Sequence, residues 1–162
     1  MEINLKKLQE ILKLNFKDKE LLIQAITHKS SNSQINYEKL EFLGDRVLGL
    51  TVSKKLIELY PKEKVGILDK KFASLVNKNK CYEVGKKLNL ENYILVRNSK
   101  KKTNKIENKI ISDCCESIIG AIYLDSGFEV AKKFILRNWK NYLDKSNVTI
   151  VDSKTLDRKS VV

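Results

Sequence analysis

Two long apolar stretches that each carry acidic side chains constrain this chain more than anything else in it. The first runs from Tyr37 to Tyr60, where Pro61 ends it, and holds Glu38, Glu41 and Asp45. The second runs from Ile110 to Asp125 and holds Asp113 and Glu116. Glu41 and Asp45 are four residues apart and Asp113 and Glu116 three, spacings that put each pair on one face of a helix. With Glu41 at zero and about 100° per residue, Asp45 falls near about 40° and Glu38 near about 60°. Leu40, Leu43, Val47 and Leu50 lie on the opposite side, and Leu48 and Val52 flank the acids. A helix apolar nearly all round is a central helix. On the second stretch Asp113 and Glu116 share a side with Ser117, Gly120 and Leu124, while Ile111, Ile118, Ile119 and Ile122 cover much of the rest. Gly44, Gly49 and Gly120 each cost about 1 kcal/mol relative to Ala in a helix interior, and are tolerated where helices approach closely.

If the two helices pack side by side, their four acids converge. An ionised carboxylate in apolar sequence is costly unless something positive compensates it. Two compensations are open at this point. One is a hard divalent cation such as Mg²⁺, which prefers oxygen ligands and needs no histidine beside it. The other is pairing of these acids with Lys39, Arg46 or other basic residues.

A length of 162 residues fits one domain, or one domain with a tail, and 42% hydrophobic residues suffice for a core. One Pro and six Gly, with abundant Leu, Ile, Lys and Glu, favour an all-α protein. Lys and Arg number 32 against 20 acids, a net charge of +12 that suits either solubility or a polyanionic partner such as nucleic acid. Cys81, Cys114 and Cys115 are odd in number and lack framework spacing, so they read as small buried residues of a reducing compartment. His28 is the single histidine and no C-x-x-C occurs, which excludes a zinc pattern. The N-terminus lacks the apolar core of a signal peptide, and Ser117–Leu124 is far too short to span a bilayer. A soluble cytoplasmic protein without membrane association is expected.

The apolar spacing predicts further helices over Leu5–Leu14, after an Asp18 N-cap, over Leu68–Asn77, over Lys80–Leu88 and over Phe128–Leu143. Residues 30–36 read as a polar loop, 62–66 as a turn, and 93–96 as extended or loop. Between 97 and 109 stand Arg97, Lys100, Lys101, Lys102, Lys105 and Lys109 against one acid, Glu107. That run is a solvated loop or a phosphate-contacting one. His28 reads as structural, and Trp139 and Tyr142 as core or interface residues. Residues 1–145 are expected to form the folded domain and 146–162 a polar tail or the start of a linker.

Tyr37-Glu38-Lys39-Leu40-Glu41-Phe42-Leu43-Gly44-Asp45 resembles the signature of the ribonuclease III family. Asp113–Glu116 followed by Ser117-Ile118-Ile119-Gly120-Ala121-Ile122-Tyr123-Leu124-Asp125 resembles its second catalytic stretch, and Phe16–Leu22 with Thr27-His28-Lys29-Ser30 its N-terminal region. The resemblance implies a multi-helix endonuclease domain that forms a two-fold homodimer and cleaves double-stranded RNA, as in the processing of ribosomal precursors or messenger RNA. It implies Mg²⁺ dependence, with Mn²⁺ expected to substitute, and products with 5′-phosphate and 3′-hydroxyl ends and a short 3′ overhang. Glu41, Asp45, Asp113 and Glu116 become the catalytic acids and metal ligands, Glu38 a supporting acid, and Phe42 part of the dimer interface. RNA contacts fall to Arg97, Lys100, Lys101, Lys102 and Lys105. A basic chain poor in aromatics suits A-form RNA, read by shape and phosphate, better than single strands, which need stacking platforms.

Some positions depart from the family pattern. Arg46 stands where a small residue is usual, and either pairs with a nearby acid or contacts RNA. Ile67 and Phe72 replace an acid and an arginine, and Ser99–Asn104 replaces a glycine-rich loop. The chain stops at Val162, where bacterial members usually continue into a double-stranded-RNA-binding domain, so a truncated or domain-only form is expected. The alternative function is a catalytically weak or inactive module of the same fold that holds structured RNA.

Overall fold

The contact between the two acidic helices sets the architecture. The computed structural model describes residues 3–97 and 106–147. In order the helices are α1 (Leu5–Leu12), α2 (Lys19–Ala25), α3 (Glu38–Leu59), α4 (Val65–Val76), α5 (Lys78–Lys87), α6 (Asn108–Ser126) and α7 (Phe128–Asn138), with a 3₁₀ turn at Leu90–Asn92. The fold is all-α. Among the described residues the sole β feature is a parallel bridge between Thr27 and Leu95, so that the 93–96 segment pairs at Leu95 while Tyr93 closes the preceding 3₁₀ turn.

Helix α6 is the axis of the core, buried at every position from Ile110 to Ile122. Its most extensive partner is α3. The two backbones touch where both helices carry a glycine. A Cβ on Gly44 would lie 1.7 Å from the Glu116 carbonyl oxygen, and one on Gly120 would lie 2.2 Å from that of Leu40. This mutual approach brings the first turns of α3 beside the middle of α6, and with them the acids. Gly49 is different. A Cβ there meets only the Phe72 ring, at an ordinary 3.5 Å, so helix approach does not demand that glycine.

Local capping by a side chain explains three helix starts. Asn4, Asp18 and Asn77 accept backbone N–H bonds from Lys7, Glu20 and Lys80. Asp125, near the end of α6, accepts the N–H groups of Lys17 and Asp18 and so ties the entry of α2 to the core.

Several sequence expectations are corrected. Helix α1 stops at Leu12, because Lys13 takes a left-handed conformation with φ 59°. Helix α4 starts at Val65 and contains Gly66, so the expected turn is shorter. The last expected helix is two. It breaks at Trp139, which is fully buried and donates its indole N–H to the Leu75 carbonyl at 2.8 Å, and helical residues resume at 140–147. Within that segment Ser146 is buried. Its carbonyl accepts a 2.6 Å bond from Lys71 Nζ, and its hydroxyl meets Tyr60 Oη at 2.8 Å. Lys71 itself is wholly buried, with its ammonium 4.3 Å above the Tyr60 ring, and burial lowers its pKa. Leu50, expected on a buried face, is exposed, and Leu43 is only partly buried. The three cysteines are free and buried. Among the described residues no helix is long and apolar enough to cross a membrane.

Candidate active site

The α3–α6 contact delivers three carboxylates to one point. Asp113 and Glu116, on α6, are 2% and 1% exposed, and Glu41 faces them from α3 half-buried. The point is held by Lys78, the first residue of α5. Its Nζ lies 2.6 Å from Glu116 Oε1, 2.9 Å from Asp113 Oδ1 and 3.1 Å from Glu41 Oε1. Lys109, one turn before Asp113, donates to the other carboxylate oxygen, Oδ2, at 2.8 Å. Asp45 is paired with Arg46 at 2.8 Å, and that guanidinium also stacks 4.2 Å above the Phe42 ring. Each of the four acids therefore has a basic partner. Ion pairing, one of the two compensations open to the sequence, is present through Lys78 and Lys109 as well as Arg46.

The electrostatics follow from this crowding. Burial pushes the Glu116 carboxyl up to about 7 against the pull of Lys78, and Asp45 adds to the rise. Burial and the neighbouring Asp113 also raise Glu41. For Asp113 burial acts upward too, but hydrogen bonds from Lys109 and Lys78 prevail and hold it below its ordinary value. The Lys78 ammonium loses water, which favours the neutral amine, yet its three carboxylate partners outweigh this and raise its pKa. The Tyr37 hydroxyl is raised by burial and by Asp113, so it stays protonated at neutral pH.

Among the described residues no three His, Cys, Asp or Glu side chains hold an ion-ready arrangement as they stand. The oxygens nonetheless fit such an ion by chemistry and by direction. Three carboxylates already point at one cation, and Glu41, Asp113 and Glu116 would be the oxygen ligands that a hard ion such as Mg²⁺ prefers. The cation now between them is a side chain 55% exposed. Beside the acids opens a cleft of about 270 Å³, lined by His28, Lys29, Tyr37, Glu38, Glu41, Glu107, Lys109, Ile110 and Asp113.

The remaining sequence-predicted residues divide. Glu38 is exposed at the cleft beside Glu41. Phe42 is 63% exposed, with its ring under the Arg46 guanidinium. Arg97 is exposed, and its N–H bonds to Ser30 Oγ at 3.1 Å, near the cleft residue His28. Lys100, Lys101, Lys102 and Lys105 lie outside the described residues. His28 is buried, bonded to Ser30 and edge-on to Tyr37, in keeping with a structural role. Sequence reasoning missed Lys78. One signal was available, since a lysine at the first position of a helix opposes the helix dipole and needs a local reason. Among 32 basic residues that signal does not stand out.

Comparison with known proteins agrees with the geometry. A family model described as ribonuclease-III-like matches residues 18–143. The ribonuclease 3 of Pelagibacter ubique is 56% identical over 155 residues, spanning 96% of this chain and 70% of that protein. The ribonuclease 3 of Ehrlichia chaffeensis is 40% identical, over 92% of this chain and 68% of that protein. Among solved structures, the nuclease domain of ribonuclease III from Campylobacter jejuni superposes with a TM-score of 0.82 at 43% identity, covering 86% of this chain and 98% of the other. Dicer from Pichia stipitis shares the fold at 23% identity and a TM-score of 0.65. With the signature acids seated on the α3–α6 contact and the match running through nearly the whole helical core, this chain belongs to the ribonuclease III family.

Proposed function

We propose that this chain is the nuclease unit of a double-strand-specific endoribonuclease, with a folded unit that runs on through the buried Ser146 rather than ending at residue 145, working in the cytoplasm on structured precursors such as ribosomal or messenger RNA. The observation that carries this reading is the meeting of Glu41, Asp113 and Glu116 within 3.1 Å of one cation at the edge of an open cleft. Glu41, Asp113 and Glu116, with Asp45 beside Glu116, would hold Mg²⁺ or Mn²⁺. When bound, such an ion activates water and stabilises charge on the phosphate under attack, leaving 5′-phosphate and 3′-hydroxyl ends. Glu38 supports the mouth of the site. Lys29 and Lys109 line the same cleft and would engage the RNA backbone, and Arg97 with the lysines at 100–102 and 105 would extend that contact along the duplex.

Catalysis on both strands needs two sites. Phe42, Leu50 and Ile57 are large apolar residues left exposed on α3, and they supply a surface for a two-fold homodimer. The Campylobacter jejuni nuclease domain likewise has a region involved in dimer formation. Two sites facing one duplex would yield a short 3′ overhang.

The test is incubation of this chain with long duplex RNA, with and without Mg²⁺. Mg²⁺-dependent scission to short duplexes with 5′-phosphate ends is expected, and its absence defeats the proposal. The full pairing of the acids favours a second reading, a weak or inactive module that holds structured RNA. Retention of duplex RNA without scission in the same assay would select it.

A further inference from the structure

We infer that Lys78 is a displaceable counter-cation of the carboxylate site, which holds Glu41, Asp113 and Glu116 together in the metal-free protein and yields its place when a divalent ion enters. The inference rests on the proposed metal-dependent reading of the site and adds to it a residue of this chain that competes with the ion.

Four observations support it. First, Lys78 meets one oxygen from each of three carboxylates, two of them almost wholly buried. No other described group touches all three, so the ammonium and an ion bound by these oxygens exclude each other. Second, the side chain has somewhere to go. It is 55% exposed, whereas Asp113 and Glu116 are fixed on the buried face of α6. Third, the backbone is pinned while the side chain is not. The Lys78 carbonyl accepts the Ser112 hydroxyl at 3.0 Å, which anchors the start of α5 to the turn of α6 that bears Asp113. The ammonium can swing out on its four-carbon stem without disturbing either helix. Fourth, local helix physics disfavours the residue. The first turn of α5 contains no acid and begins with a lysine, a charge that the helix N-terminus repels. The carboxylates of α3 and α6 supply the compensation.

Removing the competing charge then tightens metal binding. An ammonium in the site about 90% of the time lowers apparent affinity about tenfold, and its loss restores that factor. Mn²⁺ is titrated calorimetrically into the chain without RNA. Lys78→Gln is expected to bind Mn²⁺ about tenfold more tightly than the unaltered chain. Lys78→Arg, which keeps the charge, is expected to bind as the unaltered chain does. A Lys78→Gln chain that binds no more tightly overturns the inference, and so does a Lys78→Arg chain as tight as Lys78→Gln. Glu116→Gln separates this from the underlying reading. If that change leaves Mn²⁺ affinity untouched, the carboxylate site itself is refuted, whatever Lys78 does.

A second measurement uses the unaltered protein, so that a poorly folded variant leaves the inference decidable. Acylation of the Lys78 amine, followed by mass spectrometry, is expected to speed up when Mn²⁺ is added while acylation of distant lysines such as Lys54 stays constant. Equal Lys78 labelling with and without Mn²⁺ overturns the displacement.

Discussion

Helices α3 and α6 look alike as sequences and behave differently as structure. Both are long, apolar and marked by paired acids. Helix α6 has no free face between Ile110 and Ile122, and the apolar residues of that span are all consumed by the core of a single chain, with only Leu124 beyond it left exposed. Helix α3 buries Leu40, Val47, Leu48, Val52 and Leu56 but leaves Phe42, Leu50 and Ile57 in water. The excess hydrophobicity of α6 is accounted for by folding, and that of α3 is left for another surface. The acids follow the same division. Those of α6 are buried and fixed, and those of α3 are more exposed, with Glu38 and Glu41 lining the open cleft.

The largest effect is expected at the seam the helices share. Gly44→Val or Gly120→Val drives a side chain into facing backbone, where neither helix can yield, and should leave no cooperative melting transition by circular dichroism. By the same reasoning Gly49→Ala should fold normally. Next in size is the loss of a buried acid. Glu116→Gln is expected to lower duplex RNA cleavage at least about 100-fold, beyond the 10–100-fold typical of losing a partner of a metal ligand, with RNA retention on a gel largely unchanged. Unchanged turnover would remove Glu116 from the site.

A smaller effect tests the surplus face of α3. Phe42→Glu places a charge on the exposed stripe and should convert a dimer to monomer in sedimentation. Its cost to the fold of one chain should be within about 0.5 kcal/mol, as for surface changes generally. The smallest effect concerns pH. Glu116 is raised to about 7 in the folded protein from an ordinary 4.5, so between those values the native state keeps a proton that the unfolded chain has lost. Stability of the metal-free protein should therefore fall as pH rises from about 4.5 to about 7, and level off above. Lys78 titrates far above this window and does not offset it. Thermal melts across the range should show this slope in the unaltered chain and a flatter one in Glu116→Gln.

Much of this was legible in the sequence, for identifiable reasons. Acid spacing and glycines within apolar runs are local signals, and they located the α3–α6 contact and the acids on it. The Asp18 cap and the buried cysteines were likewise local. The partner of the acids was not. Lys78 reaches Asp113 across 35 positions, and no pattern in one dimension distinguishes it from the other lysines. The break at Trp139 depends on an indole N–H finding the carbonyl of Leu75, 64 residues away. The burial of Lys71 depends on the Ser146 carbonyl beneath it. Leu50 was misplaced because a helical wheel ranks faces by apolarity and cannot tell which one the chain itself will cover.

Cys81, Cys114 and Cys115 give the molecule a built-in clock. All three thiols are sealed in the core, and burial keeps each of them protonated at neutral pH, far from the reactive thiolate. An alkylating reagent can reach them only when the helices around α6 part. The rate of thiol capture in the native protein therefore reports how often that core opens, and a ligand that knits α3 to α6 should slow it.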